Sequence, residues 1–237
     1  MIAVAAVGTS VLSAVAGLGG GIILLTVLAQ FFAPVVAIPI HGGIQLVSNG
    51  SRAAMLRRQI NWSAVGRASI LLLPASLLGV LVATSIPEDA TRLVLGAFVL
   101  VVAWRPSLLR WKGSGELPQS ALIGVGGVSG FLNSTVGASG PFTSPFFKAV
   151  TVSHVAFVAT AASSQVFAHL SKLIAFGLDG FAFTEHLDVI TVGAIGVTIG
   201  SRIGTRLMGR ADEAQLALLF RIVLTALAIR LVLRAVL

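Results

Sequence analysis

Residues 135–145 read TVGASGPFTSP and residues 14–24 read AVAGLGGGIIL. A serine set among glycines could be a nucleophile, with Ser139 activated by His169 in the manner of an intramembrane serine hydrolase. The same composition also interrupts a helix, because each glycine weakens it by about 1 kcal/mol and each proline by ~3. The helix that restarts after such a break begins with unpaired N–H groups and a positive dipole end, which together attract an anion. On that reading Gly19, Gly20 and Gly21 in one stretch, and Ser139 and Gly140 in the other, are substrate-binding residues. Without a ligand, the glycines would serve close helix packing.

Two further sets of polar residues follow these stretches. His41, Gln45, Asn49 and Arg52 step by 4, 4 and 3, and Gln165, His169 and Lys172 step by 4 and 3. Each spacing draws one face of an α-helix. Hydrogen-bond donors dominate both stripes, with one cation apiece and no carboxylate, which suits an anionic ligand. Thr160 precedes the second stripe and is assigned to the same wall. The alternative for Arg52 and Lys172 is to snorkel toward the interface, and for the amides to act as interhelical glue. His41 and His169 are the groups available for proton coupling. The absence of acids argues against a sodium or divalent-cation site. No catalytic residue, metal or cofactor is assigned.

These residues lie in a strongly apolar chain. Of 237 residues 56% are hydrophobic and 10% charged, where a soluble domain carries about 25% charged residues, and mean hydropathy is +1.00. Apolar runs recur at 1–17, 64–86, 93–104, 119–136, 155–176, 187–200 and 214–237, which predicts an all-α polytopic membrane protein. Strands of an outer-membrane barrel would alternate in polarity over about 10 residues, and these runs do not. The chain has no cysteine, so disulfides and thiolate metal sites are excluded. Its net charge of +8 comes from basic residues in short loops, which report topology rather than nucleic-acid binding.

The chain also repeats itself. An offset of 120 aligns Gly17 with Gly137, Gly20 with Gly140, Gln45 with Gln165, Asn49 with His169 and Arg52 with Lys172. After the matched helix, the first half has Arg57, Arg58 and Arg67 where the second has Asp179, Glu185 and Asp188. In the next loop the pattern reverses, TSIPEDATR against Arg202, Arg206 and Arg210. By the positive-inside rule equivalent loops then lie on opposite sides of the membrane. The expected architecture is two inverted repeats with glycine-broken or re-entrant helices: residues 1–112, a cytoplasmic linker at 113–118, and residues 119–237. Both the crossing and the re-entrant versions put the N-terminus outside, and Trp62, Trp104 and Trp111 lie beside the basic loops, as an interfacial belt would. Inverted repeats with interrupted helices place a substrate near the midplane where the repeats meet.

The segments GLGGGIILLTVL, SNGSRAAMLRRQINW, GVSGFLNSTVGASGPFTSPFF and ATAASSQVFAHLSKLIAFG resemble the two halves of the TauE/SafE family over nearly the whole chain. The resemblance implies a bacterial inner-membrane permease that exports sulfur-containing anions such as sulfite or sulfoacetate. It departs from the family's usual pattern at Ala138, Ser139 and Pro141, where a GxGGG run is commoner, and at Leu25, where a proline often follows. The expected partners are a small anion and the lipid bilayer, with a homodimer left open and nucleic acid excluded. The alternatives are a rhomboid-like hydrolase using Ser139 and His169, and an anion channel. Against the hydrolase, the first-half counterparts, Gly19 and Asn49, could not perform those roles.

Topology is directly testable because any introduced cysteine would be unique. Arg58→Cys and Arg206→Cys should react with a membrane-impermeant maleimide only after permeabilisation, and Asp89→Cys and Asp179→Cys in intact cells. Labelling of all four from one side would defeat the inversion.

Overall fold

The computed structural model describes residues 2–16, 20–109, 117–207 and 213–236. Gly19, Trp111 and residues 113–116 of the expected linker lie outside them. The described elements are helical throughout. The first half contains α1 (Ile2–Ala16), α2 (Gly20–Leu28), α3 (Pro34–Met55), α4 (Trp62–Ser69), α5 (Leu72–Ser85) and α6 (Glu88–Trp104). The second contains α7 (Ala121–Thr135), α8 (Gly140–Ala149), α9 (His154–Leu178), α10 (Leu187–Leu207) and α11 (Glu213–Val236).

The inside and outside of this bundle are reversed relative to a water-soluble protein. Leu78, Leu81, Ile195, Ile199, Ile222 and Leu233 are exposed, whereas His41, Asn133, Gln165 and Lys172 are buried. An apolar exterior around a polar interior is stable only where the surroundings are apolar too. Phe183–Gly204 is by itself long and apolar enough to cross a membrane, and α4 and α5 qualify together across a 45° bend. Helices α3 and α9, with 22 and 25 residues, have the length but carry the polar stripes. Helices α2 and α8, with 9 and 10 residues, reach about half-way through ~30 Å of hydrocarbon at ~1.5 Å per residue.

The bend between α4 and α5 has a local cause. Pro74 lacks the N–H that would bond to the Ile70 carbonyl, and the helix restarts after Leu71 at φ −101° and ψ 4°. In α10 the residue at the same offset is Ala194, and that helix is unbroken.

Packing pairs the halves with each other. Helix α1 lies on α10 and α7 on α5, α3 lies on α10 and α9 on α5, and the central contacts are α3 with α9 and α6 with α11. Small residues permit the close approaches. A Cβ on Gly126 would sit 1.8 Å from the Ala68 carbonyl oxygen and one on Gly130 2.4 Å from that of Leu72, while one on Gly200 would sit 2.3 Å from that of Val7. The Ser10 hydroxyl bonds to the Val197 carbonyl at 2.8 Å, and that of Ser76 to the Gly130 carbonyl at 3.3 Å. Two apolar clusters fill the rest. One contains Leu24, Ile38, Ile44 and Leu224, and the other Leu122, Phe147, Phe157 and Val158.

Gly126→Val should therefore separate α7 from α4, at a cost of about 1–3 kcal/mol for overpacking. It should lower the melting temperature in detergent, whereas Gly124→Ala on the same helix, with nothing within 4 Å of its Cβ, should leave it unchanged.

Candidate functional site

A cavity of ≈ 60 Å³ lies where the starts of α2 and α8 face α3 and α9. On the same measure a single water needs roughly 10–15 Å³, so there is room for a small polyatomic ion. Of the sequence-predicted residues, Gly21, His41, Gln45, Asn49, Arg52, Ser139, Gly140, Gln165 and His169 line it. Ile22 of one apolar cluster and Val158 and Ala161 of the other are also in the wall. No Asp or Glu is among the lining residues.

The remaining predicted residues are elsewhere. Gly20 begins α2 and is buried. The Thr160 hydroxyl accepts the Asn61 N–H at 2.9 Å and so ties α9 to the start of α4. Lys172 is fully buried yet turned away from the cavity wall: its ammonium donates to Asn133 Oδ1 at 3.2 Å and to the Gly137 carbonyl at 3.3 Å. Neither cation snorkels to an exposed position, since Arg52 is 4% exposed and donates to Asn49 Oδ1 at 3.4 Å.

Helix α8 starts beside the cavity with its first amides uncapped by a side chain. Ser139 is its N-cap residue, but the hydroxyl makes no capping bond. It accepts instead from the Ser129 hydroxyl at 2.8 Å and from Gln165 Nε2 at 3.3 Å. With both acceptor positions engaged, Ser139 can address the cavity only as an O–H donor. His169 places Nδ1 at 3.5 Å from Asn133 Nδ2, and among the described residues Ser139 and His169 form no hydrogen bond with each other. A nucleophile needs its proton directed at a base, and that arrangement is not formed here.

The stretch before α8 is locked by the other half. Gly137 has φ +81°, and a Cβ there would lie 2.7 Å from Leu25 Cδ2 of α2 and 3.0 Å from Ile38 Cγ1 of α3. Across the cavity, His41 Nε2 donates to the Gly21 carbonyl at 2.8 Å. Asn49 Nδ2 donates to the Gln45 backbone carbonyl at 3.0 Å. The rings of His41 and His169 meet edge to face with centroids 5.7 Å apart.

Sequence reasoning missed Ser129, Asn133 and Thr143. Thr143 Oγ1 lies 3.5 Å from Gln165 Nε2. Ser129 and Asn133 step by 4 along α7 beside Gly126 and Gly130, so a polar line was present in the sequence, although two residues make a weak stripe.

Fold and cavity together define a helical membrane protein with a polar, acid-free interior site. Residues 1–231 match the family described as Sulfite exporter TauE/SafE, and the chain belongs to that family of membrane transporters. No curated protein and no solved structure matches it.

Gly137→Ala should cost about 1–3 kcal/mol from the left-handed backbone conformation, with the overlap on Leu25 in addition. A thermal melt should show the loss, and an unchanged melting temperature would mean that the 136–139 stretch is not held as described.

Proposed function

We propose that the protein is a permease that exports a small sulfur-containing oxyanion, sulfite or an organosulfonate such as sulfoacetate, through the bacterial inner membrane by alternating access. In this reading the halves are inverted repeats, the chain crosses the membrane several times with its N-terminus outside, and α2 and α8 are the short arms of glycine-broken helices. Support for the repeat comes from the helix order, α1 to α3 against α7 to α9, and from the exchanged pairings of α1 with α10 and α7 with α5.

The observation that carries the proposal is the cavity's donor set. Arg52, the Gln45 amide, the His169 ring, the Ser139 hydroxyl and the start of α8 converge on it, and no carboxylate opposes them. Oxyanions accept several hydrogen bonds at once, and charge-assisted ones are roughly twice as strong as neutral ones. Glycines at Gly21 and Gly140 let the ligand approach the backbone. Export needs no coupling ion, because a monovalent anion leaving an inside-negative cell gains ~2.3 kcal/mol per 100 mV.

Proteoliposomes holding the purified protein should show saturable flux of sulfite or sulfoacetate, accelerated by a membrane potential that is positive on the receiving side. Arg52→Gln should reduce apparent affinity by about tenfold or more, as expected for one hydrogen bond to a charged group. Ser139→Ala should shift affinity and leave turnover measurable. A folded protein that moves no anion would overturn the proposal, and a current that does not saturate would replace the carrier with a channel.

A further inference from the structure

The hydrogen bonds behind the cavity determine which nitrogen of His169 carries its proton. Lys172 Nζ donates to Asn133 Oδ1 at 3.2 Å, so the carbonyl side of that amide is taken and its NH₂ group faces His169. Asn133 Nδ2 stands 3.5 Å from His169 Nδ1. An NH₂ group can only donate, so Nδ1 must be the acceptor and cannot hold a proton. The proton of the ring is then on Nε2.

We propose that Lys172 and Asn133 are positioning residues that hold His169 as a neutral imidazole whose Nε2–H is the group presented to the oxyanion. This rests on the permease reading for the identity of the ligand, while the tautomer follows from the three side chains alone. The chain departs here from its own repeat. Where His169 stands, the first half has Asn49, which bonds within its own helix to the Gln45 carbonyl. Where Lys172 reaches inward, it needs space on α3, and Gly42 supplies it: a Cβ there would lie 2.7 Å from Lys172 Cε. Lys172 also grips the Gly137 carbonyl at 3.3 Å, so one ammonium fixes both the ring and the stretch that leads into α8.

The charged and titratable groups around His169 are Lys172 on its own helix, His41 on α3, which donates through Nε2 to the Gly21 carbonyl, and Arg52 of α3, which lines the same cavity. The ion pairs of Arg92 with Glu88 and Asp89 lie at the start of α6. A neutral donor suits a carrier that must also release its cargo, since an imidazolium beside Lys172 would hold the anion more tightly.

The test is ¹⁵N NMR of histidine-labelled protein in nanodiscs, with His169 assigned by its loss in His169→Gln. Nδ1 of His169 should resonate as an unprotonated ring nitrogen and Nε2 as a protonated one, and a proton on Nδ1 in the wild type would overturn the proposal. Asn133→Asp replaces the NH₂ donor by an acceptor and should move the proton to Nδ1. In sulfite-loaded proteoliposomes that variant should lose about tenfold in apparent affinity at pH 8, as for one lost hydrogen bond to a charged ligand. It should recover as acid protonates Nε2 again. An unchanged tautomer in a folded Asn133→Asp protein would also overturn the proposal. If the wild-type tautomer is as stated but no anion is carried, the transport reading fails and the tautomer assignment stands.

Discussion

A polar group in hydrocarbon has no water to fall back on, and each one left unpaired costs several kcal/mol. That constraint governs where this chain can interrupt a helix. Val136 to Ser139 break the path from α7 into α8, which frees backbone groups in the middle of the bundle. The break persists because other residues meet those groups or turn them toward a cavity. Lys172 takes the Gly137 carbonyl, Leu25 and Ile38 enclose the turn, and the uncapped start of α8 faces the space lined by Gln165 and Arg52.

The packing follows from the same requirement. Buried amides and cations leave less apolar surface to hold helices together, and lipid tails compete for what remains. Association then depends on close van der Waals contact. Glycines and serines supply it at two crossings, Gly126 and Gly130 on α7 against α4 and α5, and Gly196 and Gly200 on α10 against α1. These contacts involve backbone carbonyls, so they tolerate little change. The frame is closely packed where helices cross and open where α2 and α8 begin.

Much of this was readable from residue order because it rests on periodicity. The stripes on α3 and α9 repeat every three or four residues, so the helix faces whose residues line the cavity could be placed before any coordinates. What could not be placed was decided by neighbours far apart in sequence. Thr160 looks like a cavity residue on a helical wheel, yet the start of α4 takes its hydroxyl. Lys172 continues the α9 stripe in register, but Gly42 and Asn133 draw its side chain behind the cavity. Pro74 divides one expected span into α4 and α5, while Pro39 and Pro145 sit within continuous helices. Proline thus weakens a helix locally, and the surrounding contacts decide whether it bends.

The departures from symmetry bear most on the ligand. A site on a two-fold axis offers the same groups from both sides, which suits a ligand with matching symmetry. A pyramidal sulfite or a sulfonate with a carbon substituent has no such axis. In this chain the positions matched by the sequence offset differ in kind: Asn49 corresponds to His169, Arg52 lines the cavity while Lys172 does not, and Ser139 has a glycine as its counterpart. Glutamine alone is kept on both sides, as Gln45 and Gln165. In the proposed permease this shared pair would mark the place that the oxyanion occupies. In the proposed permease the unshared ones would give that place a direction, and a directed site would distinguish the oxygen-bearing face of a sulfur anion from the lone pair or carbon opposite it.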